Sequence, residues 1–441
     1  MKSEINLLVN YARMILALLS IGLSGCSEDP ATPQISKAGE LAEVVNQKLI
    51  PLSQDPLLWT DDQLKFLDPM SEKAIVGLGE ATHGTAEFFK AKHRIFRYLV
   101  EKHGFKVFAI EADFGESIIL NQAVLNSDKS QIESLMKEKM LFWTWKTSEV
   151  RDLLFWMCDY NLGKTEDQKV QYWGIDCQSN THHPDIMKDY LKKFDVSFFS
   201  FAAGVLDQAK STDPFYMSQM DFSNHIKNLT SLKDSITKYQ GNILAKGSKK
   251  EYQLMLQLTE EMKEVYEIRY KNNPYLRDEY MAKNTRWLHQ YFNGAKIALW
   301  AHNGHVADRK SFSYRSMGNF LTSDHNDYAV IGFLFSKGSF MARTQNANIV
   351  GELKSQSIEA EPKSGSVNKV MSLATAPVFA VNVSDITEHD SWKTALAKRI
   401  DYFMIGSTYS NNPQFYYTPL ENNNYHQLIY FNNTTAATPL K

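Results

Sequence analysis

The sequence is poor in cysteine, carries no excess of either charge and shows no internal repeat or low-complexity tract. Its 441 residues include three cysteines, too few for a disulfide framework. Lys and Arg number 48 against 50 for Asp and Glu, so no overall field draws the chain to nucleic acid or to an anionic membrane surface. The absence of repeats argues against a solenoid or a propeller. What remains is a chain with 43% apolar residues, enough for one large domain or a domain with an insertion.

Several well-known catalytic motifs are also missing. The sequence contains no Gly-x-Ser-x-Gly turn, no P-loop, no His-Glu-x-x-His and no Cys-x-x-Cys. The stretch Gly77-Leu78-Gly79 lacks the third glycine of a dinucleotide-binding fingerprint. Neither a covalent serine hydrolase nor a nucleotide-dependent enzyme is therefore indicated, and direct attack by an activated water remains.

The N-terminus has the pattern of a targeting segment. A basic start precedes the short apolar run Met14 to Gly25, and Leu23-Ser24-Gly25-Cys26 resembles a bacterial lipobox. That resemblance implies a signal peptide over residues 1–25, lipid on the thiol of Cys26 and a tether over 26–40. No other segment reaches the roughly 18 apolar residues of a membrane helix. We therefore expect a lipid-anchored protein of the bacterial cell envelope; the alternative is an ordinary signal peptide with a chance cysteine.

Apolar runs of strand length alternate with helical patterns in the rest of the chain. Apolar residues recur every three or four positions over residues 85–103, and Gly104 follows where a helix C-terminus favours glycine. Residues 184–293 are predicted to be almost continuous helix, an insertion or cap within a domain spanning 41–441. This alternation predicts an α/β fold: a mainly parallel sheet with helices on both faces. The predicted strands are 74–78, 107–110, 170–175, 297–300, 328–335, 377–383, 402–405 and 427–431.

An ionisable residue follows each of the first four predicted strands within two positions: Glu80, Glu111, Asp176 and His302. His83 and His305 come three residues after Glu80 and His302. Because parallel strands end at one edge of a sheet, these side chains are expected to share a cleft, as general acid–base catalysis requires. The alternative for each residue is a helix cap or a solvated turn.

Two further observations complete the candidate site. Glu80 and His83 lie three residues apart among glycines, so the carboxylate can orient one ring nitrogen and leave the other as a base. Arg277 and Asn284 share one stripe of a predicted helix. Arg277 is a candidate for holding a substrate carbonyl or the carboxylates of the site; the alternative is core packing with one extended arginine.

At these residues the sequence resembles the erythromycin esterase family, also known as succinoglycan-biosynthesis-like proteins. The resemblance spans roughly residues 40–435 and is carried by 79–84, 108–111, 173–176, 277–284, 301–305 and 428–431. It implies a hydrolase that needs neither metal nor other cofactor, with His83 as the base that activates water and Glu80 and Glu111 in support. It also implies that His302 and His305 position or stabilise the oxyanion. We further predict that Arg277, Asp176 and Asn284 contact substrate. In characterised members that substrate is the lactone ester of a macrolide.

Other functions are compatible with the same residues. Two glutamates and two or three histidines at strand ends are also a ligand set for a divalent metal. A surface lipoprotein that binds a glycan or a small ligand is a second alternative, and removal of an ester substituent from a polysaccharide is a third. Paired acids and bases argue against a pure binder, because binding needs no base. Nothing in the sequence indicates an oligomeric state.

Overall fold

The structure is a computed structural model that describes residues 38–194, 196–211, 217–273, 275–311, 314–325, 327–346, 349–421 and 424–441. The predicted signal peptide, Cys26 and most of the predicted tether lie outside these residues. No helix in the described ranges is long and apolar enough to cross a membrane.

The strands, in chain order, are β1 Ile50–Pro51, β2 Ile75–Leu78, β3 Val107–Asp113, β4 Gln171–Asp176, β5 Ile297–Trp300, β6 Tyr328–Asn346, β7 Ile349–Ile358, β8 Val378–Asn382, β9 Asp401–Phe403, β10 Thr408–Tyr409, β11 Tyr417–Pro419 and β12 Gln427–Thr434. The α-helices are α1 Ala38–Lys48, α2 Asp68–Ser71, α3 Ala86–His103, α4 Phe114–Leu125, α5 Lys129–Lys139, α6 Ser148–Asn161, α7 His183–Phe194, α8 Phe199–Ser211, α9 Gln219–Lys238, α10 Gln240–Lys246, α11 Lys249–Lys271, α12 Tyr275–Tyr291, α13 Asn303–Val306, α14 Met317–His325, α15 Val367–Met371, α16 Val383–Thr387 and α17 Asp390–Ala397.

Eight strands form the main path of one sheet in the order β1-β8-β12-β6-β2-β5-β3-β4, and β7 and β10 add to β6. The strands from β12 to β4 along this order run parallel to one another, whereas β1, β7 and β8 pair antiparallel with their neighbours. The register aligns Leu78 with Trp300, and Trp300 with Ile110, so the carboxyl ends of β2, β5 and β3 are level. The predicted mainly parallel α/β fold is confirmed.

The sheet has a hydrophobic core on each face. Successive residues of one strand point to opposite sides, so Val107 and Ala109 join one cluster, whereas Phe108 and Ile110 join the other. The first cluster is covered mainly by α1 and helices between residues 183 and 291. The second is covered by α3, α5 and α6. A sheet buried on both faces explains why its strands are continuous apolar runs rather than alternating ones.

The structure departs from the sequence prediction in three places. β6 continues well past residue 335 and pairs with β7 as a long hairpin that the sequence analysis did not predict. β9 lies in a separate two-stranded sheet with β11 rather than in the main sheet. The sequence pattern also predicts short helices over 41–50 and 61–67; α1 covers most of the first range, whereas residues 61–67 form a turn and a short 3₁₀ helix at Lys65–Leu67. Polar and short segments of this kind carry little periodicity, so tertiary contacts decide their conformation.

Candidate active site

The level strand ends place the predicted residues side by side. Glu80 and His83 follow β2, Glu111 belongs to the end of β3, Asp176 ends β4, and His302 follows β5. The strand order β2-β5-β3-β4 makes these four ends neighbours along a single edge. Ligand sites of open α/β sheets lie at this edge, outside the carboxyl ends of the strands.

A buried carboxylate organises the first half of the site. The Oε1 atom of Glu80 lies 2.7 Å from Nδ1 of His83, and its Oε2 atom accepts hydrogen bonds from Nζ of Lys92 at 2.9 Å and from Nε1 of Trp300 at 2.6 Å. Burial by itself raises the pKa of Glu80, but the charge of Lys92 and the hydrogen bond with His83 leave it below its usual value. An ionised Glu80 accepts the Nδ1 proton of His83, which leaves Nε2 of His83 as the basic nitrogen.

Lys92 is the residue that sequence reasoning missed. It comes from α3, is fully buried, and its ammonium lies 4.4 Å from the centre of the Trp300 ring. Burial lowers the pKa of Lys92 to about 8, although Glu80 opposes the shift. The signal that could have revealed it is its position between Phe88 and Ile95 on the apolar stripe of α3, where an unpaired lysine is rare.

Two glycines of the turn are required by close packing. A Cβ at Gly79 would lie 2.1 Å from Oδ1 of Asn303, and one at Gly84 would lie 2.1 Å from the carbonyl oxygen of Met341. Neither glycine has a positive φ. The turn after β2 therefore needs glycine because the backbone approaches α13 and the β6–β7 hairpin, and not for a left-handed conformation.

A single arginine from α12 organises the second half of the site. Arg277 donates from Nε and Nη2 to the two carboxylate oxygens of Asp176 at 2.8 and 2.9 Å. Its Nη2 also donates to Oε1 of Glu111 at 2.6 Å, and its Nη1 lies 3.0 Å from Nε2 of His305. The guanidinium fork thus clamps the ends of β3 and β4 and leaves one Nη1 proton without a partner among the described residues.

Glu111 is an anion at the centre of the site. Its Oε2 atom accepts the backbone N–H of His302 at 2.9 Å, and its side chain is 5% exposed. Burial raises the pKa of Glu111, yet the nearby positive charges of His305 and Arg277 leave it well below its usual range. Glu111 therefore stays ionised and ties β3, α12 and the end of β5 together.

The two histidines after β5 differ in what their ring nitrogens can do. The Nε2 of His302 lies 3.0 Å from the carbonyl oxygen of Ile405, and its Nδ1 accepts the N–H of Gly304 at 3.2 Å. Both nitrogens are engaged, and burial lowers the pKa of His302 to about 3, so the ring is neutral. Its centre lies 4.9 Å from that of His83, which it packs against.

His305 has two possible charge states with different partners. Its Nδ1 lies 2.9 Å from Oδ1 of Asp278, and its Nε2 faces both Arg277 at 3.0 Å and Glu111 at 3.4 Å. Because an arginine can only donate, the Arg277 contact needs a neutral His305. Burial lowers the pKa of His305, but Asp278 and Glu111 raise it by more. Protonation would exchange the Arg277 contact for one to Glu111.

The predicted substrate contact Asn284 lies elsewhere. It is fully buried, donates to the carbonyl oxygen of Ile175 at 2.9 Å and accepts from Nε2 of Gln257 at 3.0 Å. Its amide joins α11 and α12 to β4. The structure thus brings seven of the eight predicted catalytic and substrate residues into one network, and Asn284 supports that network from behind: Glu80, His83, Glu111, Asp176, Arg277, His302 and His305.

An α/β domain with paired carboxylates and imidazoles at the carboxyl edge of its sheet has the architecture of an enzyme that works by acid–base chemistry. The sequence profile of the family described as erythromycin esterase matches residues 100–434. The chain belongs to the erythromycin esterase family, and this membership supports a hydrolase.

Three individual proteins are similar to this chain, and one of them is an erythromycin esterase. The Bacillus subtilis (strain 168) protein named "Putative hydrolase YbfO" is 25% identical over 422 residues, which cover 84% of this chain and 87% of that protein. Erythromycin esterase type II of Escherichia coli is 27% identical over 192 residues, covering 42% of this chain and 43% of the esterase. A crystal structure of a Bacillus cereus protein is similar in fold, with a TM-score of 0.80, 21% identity and coverage of 92% and 99% of the two chains.

Proposed function

We propose that the protein hydrolyses a carboxylic ester with water activated by His83, without a covalent intermediate. The observation that carries the proposal is the Glu80–His83 pair, in which the 2.7 Å contact occupies Nδ1 and leaves Nε2 free to act as a base. The His83 side chain is 13% exposed, whereas Glu80 is fully buried, so the imidazole is the part of the pair that substrate can reach.

Hydrolysis then needs two proton transfers and one oxyanion. Nε2 of His83 takes a proton from water as the water oxygen bonds to the ester carbonyl carbon, and the carbonyl oxygen becomes an oxyanion. The partly exposed Arg277, with one unused N–H, faces this charge beside His305. When the C–O bond breaks, His83 returns its proton to the leaving oxygen, so the products are an acid and an alcohol. His302 acts as a positioning residue in this scheme.

The family name suggests the substrate class. We propose a macrolide lactone as the first substrate to test, because lactone opening needs only the base, the oxyanion stabiliser and the proton donor described above. The lipid anchor predicted at Cys26 would place the site in the cell envelope, where an ester-substituted polysaccharide is a second substrate. These two substrates differ in size and polarity, and a single panel separates them.

The experiment is a hydrolysis assay of the purified protein on macrolide lactones, aryl esters and acylated sugars, with and without a chelator. We expect turnover of at least one ester class and the same rate after chelation, since no three His, Cys, Asp or Glu side chains are grouped as metal ligands in the described ranges. Activity that is lost to the chelator and restored by added metal would favour a metal-dependent hydrolase. A folded protein that turns over no ester would overturn the esterase proposal.

The Lys92→Arg variant should lose less activity at alkaline pH than the wild type does. As pH rises through about 8, Lys92 loses its proton and Glu80 loses its cation, so His83 is less well oriented. A group with this pKa predicts a fall in kcat of about tenfold between pH 7 and 9. Arginine stays charged over this range. The kcat–pH profiles of both proteins test this, and an equal alkaline fall in both would exclude Lys92 as its cause.

A further inference from the structure

Buried polar atoms without partners are concentrated behind the clamp of Arg277 and Asp176. Twelve buried side-chain nitrogen or oxygen atoms of the described residues have no hydrogen-bond partner. Four of the twelve belong to only three side chains: Oδ2 of Asp113, Oε1 of Glu116 and both ring nitrogens of His183. We call these three residues the acid cluster. Unpartnered buried polar groups are expensive, so such a concentration calls for an explanation.

The acid cluster sits where two helices begin. Asp113 caps α4, because its Oδ1 accepts the N–H of Glu116 at 3.1 Å, and His183 is the first residue of α7. A Cβ added at Gly115 would lie 2.8 Å from Nδ1 of His183 and 3.3 Å from Oδ1 of Asp113, so the ring faces the carboxyl group across the glycine. All three side chains are at most 1% exposed.

The cluster adjoins the candidate active site through the sheet. Asp113 of β3 is the register partner of Asp176 of β4, whose carboxylate Arg277 clamps. The charged groups facing Asp113 are therefore mainly acidic: Asp176, Glu116 and Glu261. Arg277 is already committed to Asp176 and Glu111. Among the described residues, Lys146 faces Glu116, and Lys283, which pairs with Glu264, faces Glu261. No cation of the described residues is among the groups that shift the pKa of Asp113.

Because buried negative charges without a nearby cation are unfavourable, the carboxyl groups of Asp113 and Glu116 should hold protons. Burial raises the pKa of Asp113 to about 8 against the backbone N–H groups of Glu116, Gly115 and Ser179 that lower it, and the Asp176 carboxylate adds to the rise. Burial, with the Asp113 charge, likewise holds the pKa of Glu116 well above its usual range. Burial lowers the pKa of His183 to about 3, so its ring is neutral. When protonated, the carboxyl groups of Asp113 and Glu116 can each donate a hydrogen bond. The neutral His183 ring donates from one nitrogen and accepts at the other, so it needs one partner of each kind.

We propose that Asp113, Glu116 and His183 form a buried site that binds ordered water and keeps the carboxyl protons in the folded protein, and that losing these protons in alkaline solution loosens the Asp176–Arg277 clamp. A buried water makes two to four hydrogen bonds, and the four unpartnered atoms are partners for such bonds. Because the two ring nitrogens of His183 point in different directions, they bind different water molecules. Ionisation of Asp113 would place a second negative charge beside Asp176. Within the described ranges these side chains are not grouped as metal ligands, which favours protons and water over a metal ion.

The test is the Asp113→Asn variant, since asparagine mimics a protonated aspartic acid and still caps a helix. Groups with raised folded-state pKa values stabilise most at low pH, and this stability is lost as pH rises toward the folded pKa. The thermal midpoint of the wild type should therefore fall by about 1–2 °C per pH unit for each of the two carboxyl groups between pH 5 and 8. In Asp113→Asn the fall of the thermal midpoint with pH that Asp113 causes should disappear, and the fall that Glu116 causes should remain.

Asp128→Asn is the matched control. Asp128 caps α5 in the same way, with its Oδ1 accepting the N–H of Ser130 at 3.1 Å, but it lies at the surface. This variant should keep the pH dependence of the wild type. A second, fold-independent measurement is the infrared carbonyl band of a protonated carboxyl group, expected in the wild type at neutral pH and weaker in Asp113→Asn and Glu116→Gln.

Three outcomes would overturn the proposal. One is an identical pH dependence of the midpoint in Asp113→Asn and the wild type. Another is the absence of a protonated-carboxyl band from the wild type. The third is that sodium, magnesium or calcium chloride, compared at matched ionic strength, raises the thermal midpoint of the wild type but not that of Asp113→Asn. This result would identify a bound cation instead of protons and water. The effect of Lys92 can be separated from that of the acid cluster. Lys92→Arg should change kcat at alkaline pH, but it should leave unchanged the part of the pH dependence of the thermal midpoint that Asp113→Asn removes.

Discussion

The His83→Ala variant should hydrolyse its ester about 10²- to 10⁴-fold more slowly in kcat than the wild type and should fold normally. The loss follows from removing the only imidazole of the site that combines a carboxylate on one ring nitrogen with an unengaged second nitrogen. The side chain is 13% exposed and lies at the edge of the sheet, so its removal opens no fully enclosed core cavity. Steady-state kinetics and the thermal midpoint measure the two effects.

His103→Ala provides the control for this experiment. His103 also pairs with a carboxylate, at 2.8 Å from Asp68, and is similarly accessible, with 19% exposure against 13% for His83. It lies at the opposite end of α3, roughly 27 Å from the site for a helix of this length. We expect its kcat to stay within a factor of two or so of the wild type. An unchanged kcat in His83→Ala would contradict the proposal that His83 activates the water, whatever the substrate.

The Arg277→Ala variant should lose about 3–5 kcal/mol of the free energy of unfolding and most of its activity. Its guanidinium is the partner that Glu111 and Asp176 share, and both carboxylates are at most 5% exposed. Removing one partner from buried ion pairs leaves uncompensated charges. Urea unfolding at neutral pH measures the loss, and it should shrink at acid pH, where protonation of the freed carboxylates relieves the repulsion.

Two comparisons sharpen the Arg277 experiment. Arg97→Ala breaks an exposed contact to Glu101 at 3.9 Å and should cost no more than about 1 kcal/mol. Arg277→Lys keeps the charge but cannot bridge Asp176 and Glu111 with a planar fork, so it should restore part of the stability and little of the activity. If Arg277→Ala unfolds at the same urea concentration as the wild type, the clamp contributes nothing to the fold.

The sequence predicted the shape of the site better than its internal contacts. The ends of β2 and β5 at residues 78 and 300 were predictable, and those of β3 and β4 to within three residues, because short apolar runs flanked by glycine and helix patterns are strong signals. The β6–β7 hairpin was not, since half of the residues of β7 are exposed and, among the described strands, β7 pairs with β6 alone. Lys92 was overlooked because a charged residue within an amphipathic helix is normally assigned to its solvent face.

The meeting of acids and imidazoles at one edge of a parallel sheet follows from the sequence, because alternating strands and helices impose that geometry on whatever follows each strand. What each group can do at that edge depends on the packing of the folded chain. Arg277 reaches Asp176 across 101 positions of sequence because α12 docks against β4. His302 loses both nitrogens to backbone partners, one of them at Ile405, whereas His83 keeps one free. Which hydrogen-bond partner a side chain has depends on differences in distance of a few tenths of an ångström, and the periodicity and spacing of the sequence do not encode such differences.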